Sequence, residues 1–241
     1  MSLAIVYTRA ALGIEAPLIT VEVHLSNGLP GLTMVGLPET TVKEARDRVR
    51  SALINSGYAF PAKKITINLA PADLPKEGGR YDLPIALALL VASEQLNTTR
   101  LNQYEFVGEL ALTGGLRGVP GAIPSAMEAI KAGRRIVVSS DNAAEVGLIG
   151  GSDCLVADHL QEVCAFLAGQ TSLSPPLAEA PARDERYEDL LDVIGQQQGK
   201  RALEIVAAGG HNLLLIGPPG TGKTMLASRL PGLLPPLSNQ E

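Results

Sequence analysis

The chain has 241 residues, 46% of them apolar, with no Trp and only three Phe. That is enough for one large domain or two smaller ones with aliphatic cores, and it excludes a chain too polar to fold. The formal net charge of −5 excludes a broad cationic face, while local basic faces stay open.

In chain order, the opening MSLAIVYTRAALG is apolar but lacks the length and organised flanks of a signal peptide. Residues 3–9 and 18–25 read as strands, and NGLPGLTMVGLP at 27–38 sets turn residues around another apolar run. An amphipathic helix is predicted from Thr40 to Asn55. Val42, Ala45, Val49, Ala52 and Leu53 form its apolar face, and Lys43, Glu44, Arg46, Asp47, Arg48 and Arg50 its solvated one. Arg46 and Arg50 share a face at an i,i+4 spacing with Lys43 nearby, which suits contact with phosphate. Glu44 and Asp47 among them suit an ordinary solvated helix equally well.

KKITINLAP at 63–71 alternates Ile65, Ile67 and Leu69 as a half-buried strand should. ADLPKEGGRYD breaks the pattern, and residues 83–94 resume it as a core helix whose apolar run is too short for a membrane span. Residues 105–112 and 116–119 are expected as a short strand pair. A helix over Pro120–Gly133, a strand over 134–140, a short strand near Cys154–Ala157 and a helix over His159–Ala168 follow. Such alternation predicts an α/β or α+β fold.

A first domain is expected over residues 1–168 and a second over 187–241. Between them GQTSLSPPLAEAPARDER, residues 169–186, has the Pro and small polar content of a linker or a surface-packed loop. Cys154 and Cys164 have no metal-binding spacing and read as buried thiols, and His24, His159 and His211 are scattered. A cytoplasmic protein without a metal cluster is the expectation.

HNLLLIGPPGTGKTMLASRLPGLL combines a predicted short buried strand, a glycine-rich turn and a helix starting near Gly222–Thr224. Gly217, Gly220, Gly222, Lys223 and Thr224 satisfy G-x-x-x-x-G-K-[ST]. Phosphates need inward-pointing backbone N–H groups with no bulky side chain in the way, which the glycines provide, and Pro218 and Pro219 restrict the loop beforehand. With Thr221 completing the cradle, Lys223 is placed to reach the β- and γ-phosphates and the Thr224 hydroxyl to help hold Mg2+. Upstream, YEDLLDVIGQQQGKRALEIVAAGG predicts a helix packing through Ala202, Leu203, Ile205 and Val206. Val193, Ile194, Gly195 and Gln196 at its start are candidates for the adenine-side wall of the site, or for a plain cover on a sheet.

After Thr224 there is no apolar strand ending in Asp-Glu to hold Mg2+, and no set of groups for the γ-phosphate. No catalytic set is therefore complete. The expectation is a piece of a longer protein with negligible ATP turnover of its own.

The combination of GLPETTVKEARDRVRSALINSGYAFP, INLAPADLPKEGGRYDLPIALALL and DVIGQQQGKRALEIVAAGGHNLLLIGPPGTGKT resembles the YifB/ComM family of magnesium-chelatase-like AAA+ ATPases, over essentially the whole chain. The resemblance implies a two-layer amino-terminal domain with the ribosomal S5-like fold of Lon-type proteases, followed by the opening of an AAA+ motor. It implies ATP and Mg2+ as cofactors, and a parent protein that assembles as a homo-hexamer on single-stranded or branched DNA. In that protein ATP drives branch migration during natural transformation, with no role for a membrane. A protein remodeller, a metal-chelatase-like subunit and a non-catalytic interaction module are the alternatives.

Proteolysis is not expected. PKEGGRYD at 75–82 has Arg80 where the Lon-type nucleophilic Ser stands, and PGAIPS at 120–125 has Ile123 where the Lys stands. Ser125 and Lys131, the conceivable substitutes, read as a helix-start serine and a solvent-facing lysine. Arg80, in a polar glycine-rich loop, is a candidate contact for a partner, DNA backbone or another subunit, or else a surface salt-bridge residue.

Overall fold

Period-two burial builds the first part of the chain. Its strands are β1 (Leu3–Arg9), β2 (Leu18–Ser26), β3 (Gly31–Val35), β4 (Lys64–Ala70), β5 (Tyr104–Phe106), β6 (Glu109–Leu110), β7 (Leu116–Arg117), β8 (Arg135–Ser139) and β9 (Cys154–Ala157). In β1, Ala4 and Val6 point inward; in β2, Ile19, Val21, Val23 and Leu25; and in β4, Ile65, Ile67 and Leu69. Seven of these strands form one sheet in the order β3-β4-β2-β1-β5-β8-β9, and β6 and β7 pair separately. The β3–β4, β1–β5, β5–β8 and β8–β9 pairs are parallel, and β1–β2 and β2–β4 antiparallel. The fold is thus mixed α/β on a mainly parallel sheet.

The computed structural model describes residues 3–36, 44–176 and 187–235. Contacts divide the chain into two compact units, residues 1–179 and 180–241.

In the first unit, α1 (Ala45–Asn55), α2 (Asp82–Ala92) and α5 (Leu160–Leu167) cover one face of the sheet. Val49, Leu53, Ile85, Leu89 and Val163 share a core there with the inner residues of β1, β2 and β4. α3 (Ala122–Lys131) and α4 (Ala143–Gly147) cover the opposite face of β8, through Ala122, Ala126, Ala129 and Val146 against Ile136 and Val138. Being covered on both sides, β8 reads as the continuous run Ile136-Val137-Val138. β2 and β4, covered on one, alternate.

Of the predicted helix Thr40–Asn55, the structure gives α1, Ala45–Asn55, and residues 40–43 lie outside the described residues. The structure departs from the sequence reading at one strand of this unit. Tyr104–Phe106 leaves the expected strand pair and joins the main sheet between β1 and β8. Its Tyr104 and Phe106 rings enter the core while the Glu105 carboxylate is neutralised from the other side. Beyond residue 168 the chain still packs on this unit, with Leu173 against the core and the Val156 N–H donating to the Ser174 carbonyl at 3.1 Å.

Two buried carboxylates fix the elements. Glu105 accepts Arg9 Nε at 2.5 Å, Arg9 Nη2 at 2.7 Å and Arg134 Nη1 at 3.1 Å. Asp82, fully buried at the start of α2, accepts Arg48 Nε at 2.7 Å, Arg48 Nη2 at 3.1 Å and the Leu110 N–H at 3.2 Å. Arg48 is therefore not one of the solvated side chains of α1; it is turned inward to join α1, α2 and β6.

In the second unit, α6 (Gln197–Gly209), α7 (Lys223–Ala227) and α8 (Leu230–Leu233) surround Val193, Leu203 and Leu226. The predicted strand at 211–216 does not form, and Leu213, Leu214 and Ile216 are exposed. A strand needs a neighbour to take its backbone hydrogen bonds, and none exists among the described residues of this unit.

Burial pushes the Asp82 carboxyl up to about 6, against the hydrogen bond and charge of Arg48 and the Leu110 N–H. Between pH of about 4 and 6 the native state thus keeps a proton that the unfolded chain releases. This group's contribution to stability falls as pH rises through that window, by about 3 kcal/mol in all. Asp82→Asn cannot titrate. The stability of the wild type relative to this variant, from urea unfolding, is expected to fall by that order between the two ends of the window, and a constant difference would contradict the assignment.

Candidate functional site

The loop Gly217–Gly222 runs directly into the start of α7 at Lys223, so its backbone turns within a few residues of a helix N-terminus. Gly220 and Gly222 have φ of 81° and 79°, a region side chains rarely tolerate. At Gly222 a second constraint applies: a Cβ there would lie 2.8 Å from Gln196 Nε2. A Cβ on Gly220 would meet nothing within 4 Å, so one side of the loop is open space.

Lys223 curls back over this loop. Its Nζ donates to the Gly217 carbonyl at 2.9 Å and the Pro218 carbonyl at 2.8 Å, and lies 3.4 Å from Thr221 Oγ1. Thr221 Oγ1 itself donates to the Pro218 carbonyl at 2.9 Å. The acceptors of the ammonium are neutral, and phosphate oxygens would offer stronger, charge-assisted bonds to the same donors. With exposed glycines, a cation across the loop and the exposed Thr224 at its end, the residues fit a triphosphate and its Mg2+. Lys223 would hold the phosphates and Thr224 would ligate the metal.

The four residues expected on the adenine side behave differently from one another. Val193 is buried in the small core with Leu203 and Leu226, whereas Ile194 is 96% exposed. Gly195 and Gln196 both take positive φ, 73° and 53°, an uncommon conformation for a Gln. That turn aims the Gln196 amide at the glycine loop, where Nε2 donates to the Thr221 carbonyl at 3.0 Å. Two segments 25 residues apart are tied together by this bond.

In the first unit the structure corrects the reading of Arg80. It is 3% exposed, and its guanidinium donates to the Arg9 carbonyl at 3.2 Å and to the Pro120 carbonyl. The buried turn Gly79–Tyr81 carries it inward, out of reach of a partner or a phosphate backbone, and burial lowers its pKa. Lys76, which the sequence did not single out, is likewise fully buried and donates to the carbonyls of Pro71 and Leu74.

Ser125 is buried and donates to the Gly121 carbonyl at 2.8 Å, while Lys131 is exposed and pairs with Glu128 at 2.6 Å. They do not form a dyad with each other. Ile123, where the Lys of a Lon-type dyad would stand, offers no base.

Arg46 and Arg50 are both exposed on α1, Arg46 Nε lying 3.1 Å from the Asp47 carboxylate. Among the described residues no group of three or more His, Cys, Asp or Glu could hold a metal ion, and no helix is long and apolar enough to cross a membrane.

Comparison with known proteins gives two family matches. The family described as subunit ChlI of Mg-chelatase matches residues 21–142, half of the chain, and that described as magnesium chelatase, subunit ChlI, matches residues 189–241. Over its whole length the chain is 77% identical to the YifB protein of Salmonella typhimurium and 75% identical to that of Escherichia coli. It is 58% identical to the competence protein ComM of Haemophilus influenzae. It covers 48% of each, so the chain spans about half the length of the curated relatives it matches.

The tether from Gln196 to the loop is testable by titration with a fluorescent ATP analogue and Mg2+. Gln196→Ala is expected to weaken binding by about fivefold, the worth of one hydrogen bond of roughly 1 kcal/mol. Glu204→Ala, on the exposed side of α6, should change nothing. Equal affinities for Gln196→Ala and wild type would contradict the role given to Gln196.

Proposed function

The chain belongs to the YifB/ComM family of magnesium-chelatase-like proteins, and from that membership we propose that it forms part of an ATP-driven motor that acts on DNA. The observation that carries the ATP part is the geometry of Lys223, an ammonium poised over an open glycine loop on neutral carbonyls that phosphate oxygens would displace. The DNA part is supported by the 58% identity to a protein named for competence. On this reading the first unit is a non-proteolytic module, with Arg80 and Ile123 where a nucleophile and base would stand. The second unit is the opening of the AAA+ domain, which binds ATP and Mg2+. The remaining motor elements, hexameric assembly and branch migration on single-stranded or branched DNA belong to a protein of the relatives' full length.

A second reading, a metal-chelatase-like subunit that spends ATP on a protein partner, is favoured by the chelatase descriptions of both matching families. The two separate on DNA. Full-length protein with ATP is expected to displace a strand from a branched substrate, and Lys223→Ala, which loses the phosphate-binding cation, should lose that activity by at least about a hundredfold. ATP hydrolysis by wild type without any strand displacement would turn the assignment toward the chelatase-like reading.

A further inference from the structure

We propose that a groove on the first unit, between α1 and the segment that enters β4, binds the phosphate backbone of a single-stranded nucleic acid. The inference rests on the DNA reading above and gives it a surface. The groove is a cavity of about 510 Å3, with Arg46, Asp47 and Arg50 along one wall and Phe60, Pro61 and Lys63 along the other, floored by Leu32 and Ile65.

The charge balance sets this groove apart in an acidic chain. Among the described residues, Arg46, Arg50 and Lys63 line it with a single carboxylate, Asp47. Asp47 pairs with Arg46 Nε at 3.1 Å, with both side chains more than half exposed, so solvent screens the pair and its hold on Arg46 is weak. Arg50 lies with its guanidinium 5.1 Å from the centre of the Phe60 ring. That cation–π contact holds the planar donor fork in place without using its N–H groups. An arginine stacked on an aromatic ring, with lysine and arginine beside it, is a combination suited to phosphates and the flat faces of bases.

The shape selects among nucleic acids. A volume of this size is that of a small-molecule site, wide enough for a nucleotide unit or two. Duplex backbones are followed by exposed ridges and helices in grooves, whereas here the cations face each other across a concavity. The wall that carries the arginines is fixed from behind: Arg48, between them on α1, is locked to buried Asp82. The groove is therefore a preformed cradle, which lowers the ordering cost of binding.

The test is fluorescence anisotropy of a labelled oligo-dT strand with the full-length protein across a series of NaCl concentrations. Arg46→Ala/Arg50→Ala/Lys63→Ala is expected to weaken binding at least tenfold at low salt and to reduce the slope of log affinity against log salt by about two, from three lost contacts. Lys63→Glu alone, at an exposed position, should give a smaller loss in the same direction without the folding risk of the triple change, and thermal unfolding checks both variants. Glu204→Ala, on the exposed side of α6, should leave affinity and salt slope intact. Unchanged affinity and slope in both groove variants would overturn the proposal, and so would an equal loss on a duplex of the same length. ATP-driven strand displacement surviving in those variants would then leave the motor reading standing without this surface.

Discussion

The Asp82 carboxylate is the joint on which the first unit turns. One buried group takes two N–H donors from Arg48 on α1, another from the backbone of Leu110 on β6, and itself begins α2. A carboxylate alone in that position would be costly, so the three elements are held to the geometry that satisfies it. The same bond decides what α1 shows to solvent. With Arg48 turned inward and Val49 and Leu53 in the core, Arg46 and Arg50 are left outward on one side. Glu105 plays the corresponding part at the centre of the sheet, where Arg9 and Arg134 converge on β5.

Buried cations such as Arg80 and Lys76 are structural, and the proposed chemistry falls to accessible ones. Arg80 and Lys76 spend their donors on backbone carbonyls inside the fold, which closes the loop between β4 and α2 and removes both from any encounter with a ligand. Lys223 also sits on carbonyls, but at the open surface of a glycine loop, where a better acceptor can replace them. The difference is access, since the bonding pattern is the same.

Most of the fold was legible in the sequence because the strands that matter are covered on one side. Ile65, Ile67 and Leu69 alternate for that reason, and Val49, Ala52 and Leu53 mark the buried stripe of α1. The turn at Gly220 and Gly222 was legible because glycine spacing encodes backbone conformation directly. What the sequence concealed depended on long-range partners. Nothing local says that Arg48 faces inward, that Arg80 is buried, or that Phe60 and Lys63 close a groove with Arg46 and Arg50. The run 211–216 misled in the opposite direction: its side chains suit a strand, but strands are pairwise objects and the described residues of this unit offer no neighbour. Gln196, expected on the adenine side, bonds to the Thr221 carbonyl through a positive φ that composition does not announce.

Whether nucleotide chemistry at Lys223 serves DNA is read from the ATP hydrolysis rate of the full-length protein with and without branched DNA. The rate is expected to rise severalfold with the DNA, and to be absent in Lys223→Ala with or without it. A rate that is identical in the presence and absence of DNA would contradict the claim.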